Sequence, residues 1–288
     1  MSLHLSAEHS APETLKLRDR RVIRVRQGSA DWSVRASWRD LLFGPNAPDW
    51  FSLEGAPDAR CVKSGFGRSV WCVRLGDRVL FAKVFDKTAR LGAVRRWLTG
   101  SAAEMEFRKA LAAEQRGVPV VQMVGVGRQT ASPLRTVLLS EELSGALSLP
   151  EAWICNIGKL KGVERRRAVA RWMEPVAKLY ALAHARGFVH LDGHPHNILT
   201  CTGCLGELEA VFVDLRLACL TRAPAPRHRV FRSLGQLDHF FKRLATRSER
   251  VRFLRRYHCL RDELGERGTA WDCRSWIRGI SRAVQGQA

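Results

Sequence analysis

The feature that most constrains this sequence is a polar cluster set between apolar runs in residues 188–199. His190 and Asp192 follow the first apolar run, and Asn197 comes five residues after Asp192. A later apolar run ends at Asp214. Short apolar runs bounded by turns are typical of buried strands. The loop after the first predicted strand would then present the side-chain oxygens of Asp192 and Asn197, and the end of the later strand the carboxylate of Asp214. Such donors suit a hard cation like Mg²⁺.

A lysine inside an otherwise apolar strand adds a cation to this pattern. Lys83 lies in the run 79–85, where an unpaired buried charge is costly and an anionic partner is needed. Upstream, Gly65 and Gly67 form a glycine turn between predicted strands, where backbone N–H groups can approach phosphate oxygens. Taken alone, the lysine also fits an edge strand in water, and the glycines fit an ordinary hairpin.

The next predicted helix offers carboxylates to Lys83. Ser101-Ala-Ala-Glu104 has the form of a capping box, which predicts a helix running to about Arg116. Because capping gives Glu104 a structural role, Glu106 is the better partner for Lys83. Helical spacing places both glutamates beside the apolar stripe, so this choice stays open.

This combination meets the needs of phosphoryl transfer from ATP, which relies on positioning and charge stabilisation. We predict Asp192, Lys83 and Asn197 as the catalytic residues, with Asp192 as the base that orients the acceptor hydroxyl. Asn197 and Asp214 are the predicted Mg²⁺ ligands. Lys83 would grip the phosphates together with the glycine turn, braced by Glu106, and His190 would support the loop.

The order of predicted elements indicates an α+β protein with two lobes. Residues 1–55 are predicted to be an N-terminal extension packed on the first lobe. Residues 56–144 form a lobe of mainly antiparallel sheet with one helix, and residues 145–288 form a mainly helical lobe. Glu142 lies in the predicted connection and is assigned to cofactor binding.

The charge of the chain bears on its partners. The formal net charge is +20 and arginine far outnumbers lysine, which suits phosphorylated or otherwise anionic partners as well as a simply solvated basic surface. No zinc-finger, RNA-binding or leucine-zipper pattern is found, so nucleic acid is not expected. Without a signal peptide or a membrane-spanning run, a cytoplasmic location is expected. The basic, amphipathic residues 86–99 fit either a membrane-contacting helix or an ordinary surface helix.

Two further groups of residues contain possible metal ligands. His190, His194 and His196 lack a companion carboxylate that would complete a site. Cys201 and Cys204 have no second pair at metal-ligand spacing and fall where a turn is expected. We expect neither group to hold a metal.

The motif residues resemble a known family. Residues 190–199 and 211–218 are similar to the lipopolysaccharide kinase family, whose members phosphorylate Kdo or heptose sugars, and further similarity lies in 104–107, 117–119 and 251–257. The resemblance implies a two-lobed protein-kinase-like fold that uses ATP and Mg²⁺. It also implies an anionic glycolipid acceptor, the lipid A–core, and peripheral contact with the cytoplasmic face of the inner membrane.

Departures from the kinase pattern keep alternatives open. Asp214 is followed by Leu-Arg, where protein kinases have Phe-Gly, and Arg216 could alter metal binding. No A-P-E segment follows, which argues against an ordinary protein kinase. The alternatives are a related kinase with a protein or small-molecule acceptor, and a nucleotide-binding pseudokinase, which Arg216 favours. A further alternative is nucleic-acid binding driven by charge.

Overall fold

A computed structural model provides the structure of the chain. It describes residues 20–65, 67–86, 101–130, 134–203, 206–265 and 273–285. Most of the basic, amphipathic segment 86–99, as well as Cys204, lies outside these described residues. The confirmed architecture is the predicted α+β fold, with a sheet-rich N-terminal lobe and a helical C-terminal lobe.

The N-terminal lobe is built on an antiparallel sheet of seven strands in the order β1-β2-β6-β7-β5-β4-β3. The strands are β1 (Val22–Gln27), β2 (Ala30–Arg35), β3 (Ala59–Gly65), β4 (Arg68–Leu75), β5 (Arg78–Asp86), β6 (Met123–Gln129) and β7 (Arg135–Glu141). Strand β1 lies at one edge of this sheet, and the predicted glycine turn joins β3 to β4.

The two faces of this sheet are covered differently. On one face, Trp32, Trp38 and Trp50 pack with the short helix α1 (Arg39–Phe43) into an apolar cluster. On the other face lies helix α2 (Ala102–Gln115), which begins with the predicted capping box. Because side chains alternate across a strand, a central strand such as β7 contributes to both apolar clusters, with Leu138 on one side and Val137 and Leu139 on the other.

Helix α2 is anchored to strand β2 by a buried ion pair. Arg35, on β2, is fully buried and donates hydrogen bonds to a Glu114 carboxylate oxygen at 2.5 Å and to the Met123 carbonyl at 2.7 Å. Removing either partner of such a pair leaves an uncompensated buried charge, which is strongly destabilising. Strand β2 therefore helps to fix the position of α2.

The segment before β6 differs from expectation. The apolar run of residues 118–127 predicts one strand, but strand β6 begins only at Met123. The Val121 N–H donates to Phe212 O at 3.0 Å, and the Phe212 N–H donates to Pro119 O at 3.1 Å. An apolar run shows that a segment is buried but not which backbone it pairs with. Here the partner is a strand of the other lobe.

The helical lobe surrounds short strands that carry the motif residues. Its helices are α3 (Leu149–Asn156), α4 (Gly162–Ala185), α5 (Arg227–Phe241), α6 (Arg247–Glu263) and α7 (Cys273–Gln285). Its strands are β8 (Leu147–Ser148), β9 (Phe188–His190), β10 (Ile198–Thr202), β11 (Leu208–Phe212) and β12 (Ala218–Leu220). Helix α4 continues through Pro175. Within the described ranges, none of the helices combines the length and apolarity needed to cross a membrane.

One apolar core joins the lobes. It contains Phe107 of α2, Leu138 of β7 and Phe212 of β11, and it extends to Trp276 of α7. The strand ends that carry the motif residues therefore emerge from a shared, close-packed interior.

Candidate active site

The loop after β9 is held to the strand end that carries Asp214. Strand β9 pairs with β12, and His190 Nε2 lies 2.9 Å from Val213 O. Burial lowers the pKa of His190, so the ring is neutral and Nε2 carries the proton that it donates to this carbonyl. The predicted support role of His190 thus has a geometric basis.

Asp192 and Asn197 face each other across this loop. Asn197 Nδ2 donates to the Asp192 carbonyl at 2.9 Å and lies 3.3 Å from Asp192 Oδ2. Because the amide nitrogen is directed at Asp192, Asn197 Oδ1 remains an acceptor that can serve a cation. These contacts of Asn197 with the backbone and with the side chain of Asp192 fix the relative positions of the two residues.

A glutamine that sequence reasoning missed brackets Asp192. Gln236, on α5, donates from Nε2 to Leu191 O at 2.8 Å and accepts from the Gly193 N–H at 2.6 Å. Ser233, one turn earlier, donates to His190 O at 3.3 Å. The available signal was a pair of polar residues, three apart, on the inward face of an amphipathic helix.

Asp214 occupies an unusual backbone conformation. Its φ is 52° and its ψ is 63°, and it is the non-glycine residue with positive φ in the described part of the chain. Such left-handed backbone is uncommon for residues with a side chain and often marks a functional position. Its carboxylate lies 3.6 Å from Lys83 Nζ and 3.8 Å from Arg68 Nη1.

Lys83 connects Asp214 to helix α2. Its ammonium donates to Glu106 Oε1 at 2.7 Å, and the Glu106 side chain is fully buried. Glu104 instead accepts from the Ser101 N–H at 2.6 Å within the capping box. The helix thus presents Glu106 to Lys83, because Glu104 is used at the helix terminus.

The glycine turn leaves room beside this cluster. Gly67 has φ +65°, and its carbonyl accepts from the Asp86 N–H at 2.9 Å, which ties the turn to the end of strand β5. A side chain at Gly65 would meet no atom within 4 Å. The backbone at Gly65 is therefore open to an approaching ligand.

Two other predicted positions lie around the cluster. Glu142 follows β7, where its N–H donates to Val79 O at 2.9 Å. Arg216 is exposed, and its carbonyl accepts a hydrogen bond from Lys109 Nζ. The cations paired with Asp214 are Lys83 and Arg68, whereas Arg216 contacts Lys109 of helix α2 through its backbone carbonyl.

The remaining loop histidines pack on each other. The rings of His194 and His196 are stacked at 5.1 Å, and both lie edge-on to Phe240. Within the described ranges, no group of three or more His, Cys, Asp or Glu side chains is placed to hold a metal ion. A cation here would instead rely on Asn197 and Asp214 together with oxygens of a bound nucleotide.

The fold and the site define a protein-kinase-like phosphotransferase with an alcohol group as acceptor. Residues 85–257 match the model of the lipopolysaccharide kinase (Kdo/WaaP) family, and the chain belongs to this family. Among solved structures, it is similar to WaaP in complex with acyl carrier protein, with a TM-score of 0.56, 20% identity, and coverage of 88% of this chain and 98% of that chain.

A second solved structure is more distant. The BubR1 kinase domain superposes with a TM-score of 0.46 and 12% identity, covering 92% of this chain and 83% of that chain. A comparison with curated proteins returns no match.

Proposed function

We propose that this chain transfers the γ-phosphate of ATP to a sugar hydroxyl, on Kdo or heptose, of the lipopolysaccharide inner core. The observation that carries the proposal is the convergence of the motif residues: Lys83 lies 2.7 Å from Glu106 and 3.6 Å from Asp214. Family membership supports the same acceptor class.

Asp192 is the proposed base. Its Oδ2 lies 3.3 Å from Asn197 Nδ2, so Oδ1 is the oxygen offered to the acceptor hydroxyl. Accepting a hydrogen bond there orients the hydroxyl toward the phosphate, and the proton passes to Oδ1 as transfer proceeds. Positioned proton transfer of this kind contributes about 10²–10⁴ in rate.

Asn197 and Asp214 are the proposed Mg²⁺ ligands. The donor set fits, because Asn197 Oδ1 remains an acceptor and Asp214 supplies a carboxylate at the end of the adjacent strand. When bound, Mg²⁺ would offset the charge of the ATP phosphates. Lys83 would hold the phosphates, the Gly65–Gly67 turn would cover them, and Glu142 would contribute from the connection.

The acceptor and its membrane explain the charge of the protein. A net charge of +20 suits an anionic glycolipid and peripheral contact with an anionic surface. We therefore place the protein in the cytoplasm, at the cytoplasmic face of the inner membrane. We propose no nucleic-acid partner.

The test uses purified protein, labelled ATP and isolated core lipid. We expect Mg²⁺-dependent label in the lipid and none with Asp192→Ala. Label that appears only in added protein or small molecules would favour the related-kinase alternative, and nucleotide binding without any transfer would favour the pseudokinase. Mass spectrometry of core oligosaccharide from cells without the protein should show the loss of one phosphate.

A binding measurement separates the roles of the two aspartates. We expect Asp214→Ala to weaken Mg·ATP binding more than Asp192→Ala, because Asp214 is assigned to the metal and Asp192 to the acceptor. Calorimetric titration measures both. Wild-type Mg·ATP affinity in two inactive variants would show that the metal assignment is wrong.

A further inference from the structure

Arg68 lies outside the predicted set of site residues, and its side chain reaches Asp214. It opens strand β4 directly after the glycine turn, and it lies opposite Phe85 of β5. Two residues on, Val70 lies opposite Lys83. Because side chains alternate along a strand and partners in register share a face, Arg68 and Lys83 project from the same face of the sheet.

Both cations reach the carboxylate of Asp214. Arg68 Nη1 lies 3.8 Å from Oδ2, and Lys83 Nζ lies 3.6 Å from Oδ1. Each separation is too long for a well-formed hydrogen bond, so these are loose ion pairs. Lys83 has a closer partner in Glu106 at 2.7 Å, whereas the ion pair of Arg68 in the structure is with Asp214.

The charges of this cluster balance without a ligand. The positive charges of Arg68 and Lys83 face the negative charges of Glu106 and Asp214. A metal ion at Asp214 would compete directly with Arg68 for the same carboxylate. The guanidinium, 32% exposed at the mouth of the site, would then be released beside the glycine turn. Guanidinium groups match phosphate oxygens with two parallel hydrogen bonds, so a terminal phosphate is its natural new partner.

We propose that Arg68 exchanges Asp214 for the terminal phosphate of the bound nucleotide and so becomes a cationic ligand of that phosphate, in addition to Lys83, which holds the phosphate chain. This inference rests on the proposed function and adds a phosphate-binding residue to it. The exchange couples the two ligands, since phosphate and metal are each favoured when the Arg68–Asp214 pair opens. Arg68, a residue of the sheet, would then recognise the terminal phosphate.

The test compares ATP with ADP, which lacks the terminal phosphate. Binding of each nucleotide with Mg²⁺ is measured by calorimetry for wild type and for Arg68→Gln, which keeps side-chain length and removes the charge. We expect ATP affinity to fall about 10- to 100-fold, the range of a charged hydrogen-bonded contact, and ADP affinity to change less than about twofold. Arg68→Lys should recover part of the loss.

Arg74→Gln is the matched control, because Arg74 is an exposed residue on the same strand and face. It should leave both affinities unchanged. If wild type binds both nucleotides and Arg68→Gln keeps its preference for ATP over ADP, the Arg68 assignment is wrong and the proposed function stands. A defect confined to the KM of the acceptor lipid would also overturn it, by placing Arg68 on the acceptor. If wild type binds neither nucleotide, both proposals are wrong.

Discussion

Arg116 and Arg186 each donate a hydrogen bond to the backbone carbonyl of the other, at 2.9 and 2.6 Å. Arg116 Nη1 also reaches the carbonyls of Gly187 and Thr221, at 3.0 and 2.9 Å. The end of helix α2 is thereby tied to the turn that leads into the loop of Asp192. This reciprocal contact, which we call the arginine lock, fixes the helix that carries Glu106 against the helical lobe.

Breaking the arginine lock should cost stability. Arg116→Ala removes a charged donor from three carbonyls, and hydrogen bonds to charged groups contribute about 1.5–3 kcal/mol, so we expect a loss of roughly 3 kcal/mol in the free energy of unfolding. Urea titration measures it. Arg243→Ala, at an exposed position, serves as control. Equal stability of the two variants would contradict a structural role for the lock.

Gly117 tests the same contact from the backbone. A Cβ there would lie 2.0 Å from Arg186 Nη1, at a φ of +66°. Gly76 has a similar φ of +63° but open space around it. Gly76→Ala should therefore show only backbone strain of about 1 kcal/mol, whereas Gly117→Ala should lose that amount and displace Arg186 as well. Thermal unfolding of both variants gives the difference, and its absence would show that Arg186 moves aside without cost.

Gln236 should affect catalysis more than nucleotide binding. Gln236→Leu removes the contacts on either side of Asp192, and a misplacement of about 1 Å can lower the rate about 10²-fold. We expect kcat to fall by a factor of about 10 to 100 while ATP affinity stays near the wild-type value. Steady-state kinetics and calorimetry report the two quantities. The control is Arg232→Leu, exposed on the same helix, and an equal effect on ATP affinity would contradict this positioning role.

Acid should destabilise the protein through a buried histidine. His184 is 1% exposed, its Nδ1 lies 2.8 Å from the Tyr257 hydroxyl, and burial together with the charge of Arg261 lowers its pKa to about 3. The unfolded chain takes up this proton near pH 6.5 while the folded chain does not. The contribution of neutral His184 to the free energy of unfolding is therefore fully present above about pH 6.5. It falls as the pH drops below that value, by about 1.4 kcal/mol per pH unit.

Urea unfolding at pH 7.5 and 5.5 measures this loss. His184→Gln should lose about 1 kcal/mol less than wild type between the two values, because its contribution no longer titrates. His228→Gln, at an exposed position, should behave like wild type. Parallel pH profiles for wild type and His184→Gln would show that other groups govern the acid sensitivity.

The parts of the site that the sequence predicted are those with local signals. A capping box identifies the start of α2, an isolated lysine in an apolar strand identifies Lys83, and spacing along one loop identifies Asp192 and Asn197. Each signal lies within a few residues of what it predicts. The sequence favours Glu106 as the partner of Lys83 because Glu104 belongs to the capping box.

What the sequence could not predict depends on distant backbone. Gln236 donates a hydrogen bond to Leu191, which lies 45 residues away in the sequence, and Arg116 donates one to Thr221, which lies 105 residues away. The approach of Arg68 to Asp214 likewise requires the two lobes to be placed against each other. Nothing in the local pattern around Arg68 distinguishes it from the many other arginines of a chain with 48 basic residues.

The apolar core that runs from Phe107 of α2 to Trp276 of α7 has a thermodynamic consequence. Melting one lobe would expose the interior surface of the other, so the unfolding of the two lobes is coupled. Heat capacity measured against temperature should therefore show a single peak, with equal calorimetric and van't Hoff enthalpies. The two halves of the active site would then appear and disappear together, as one cooperative unit.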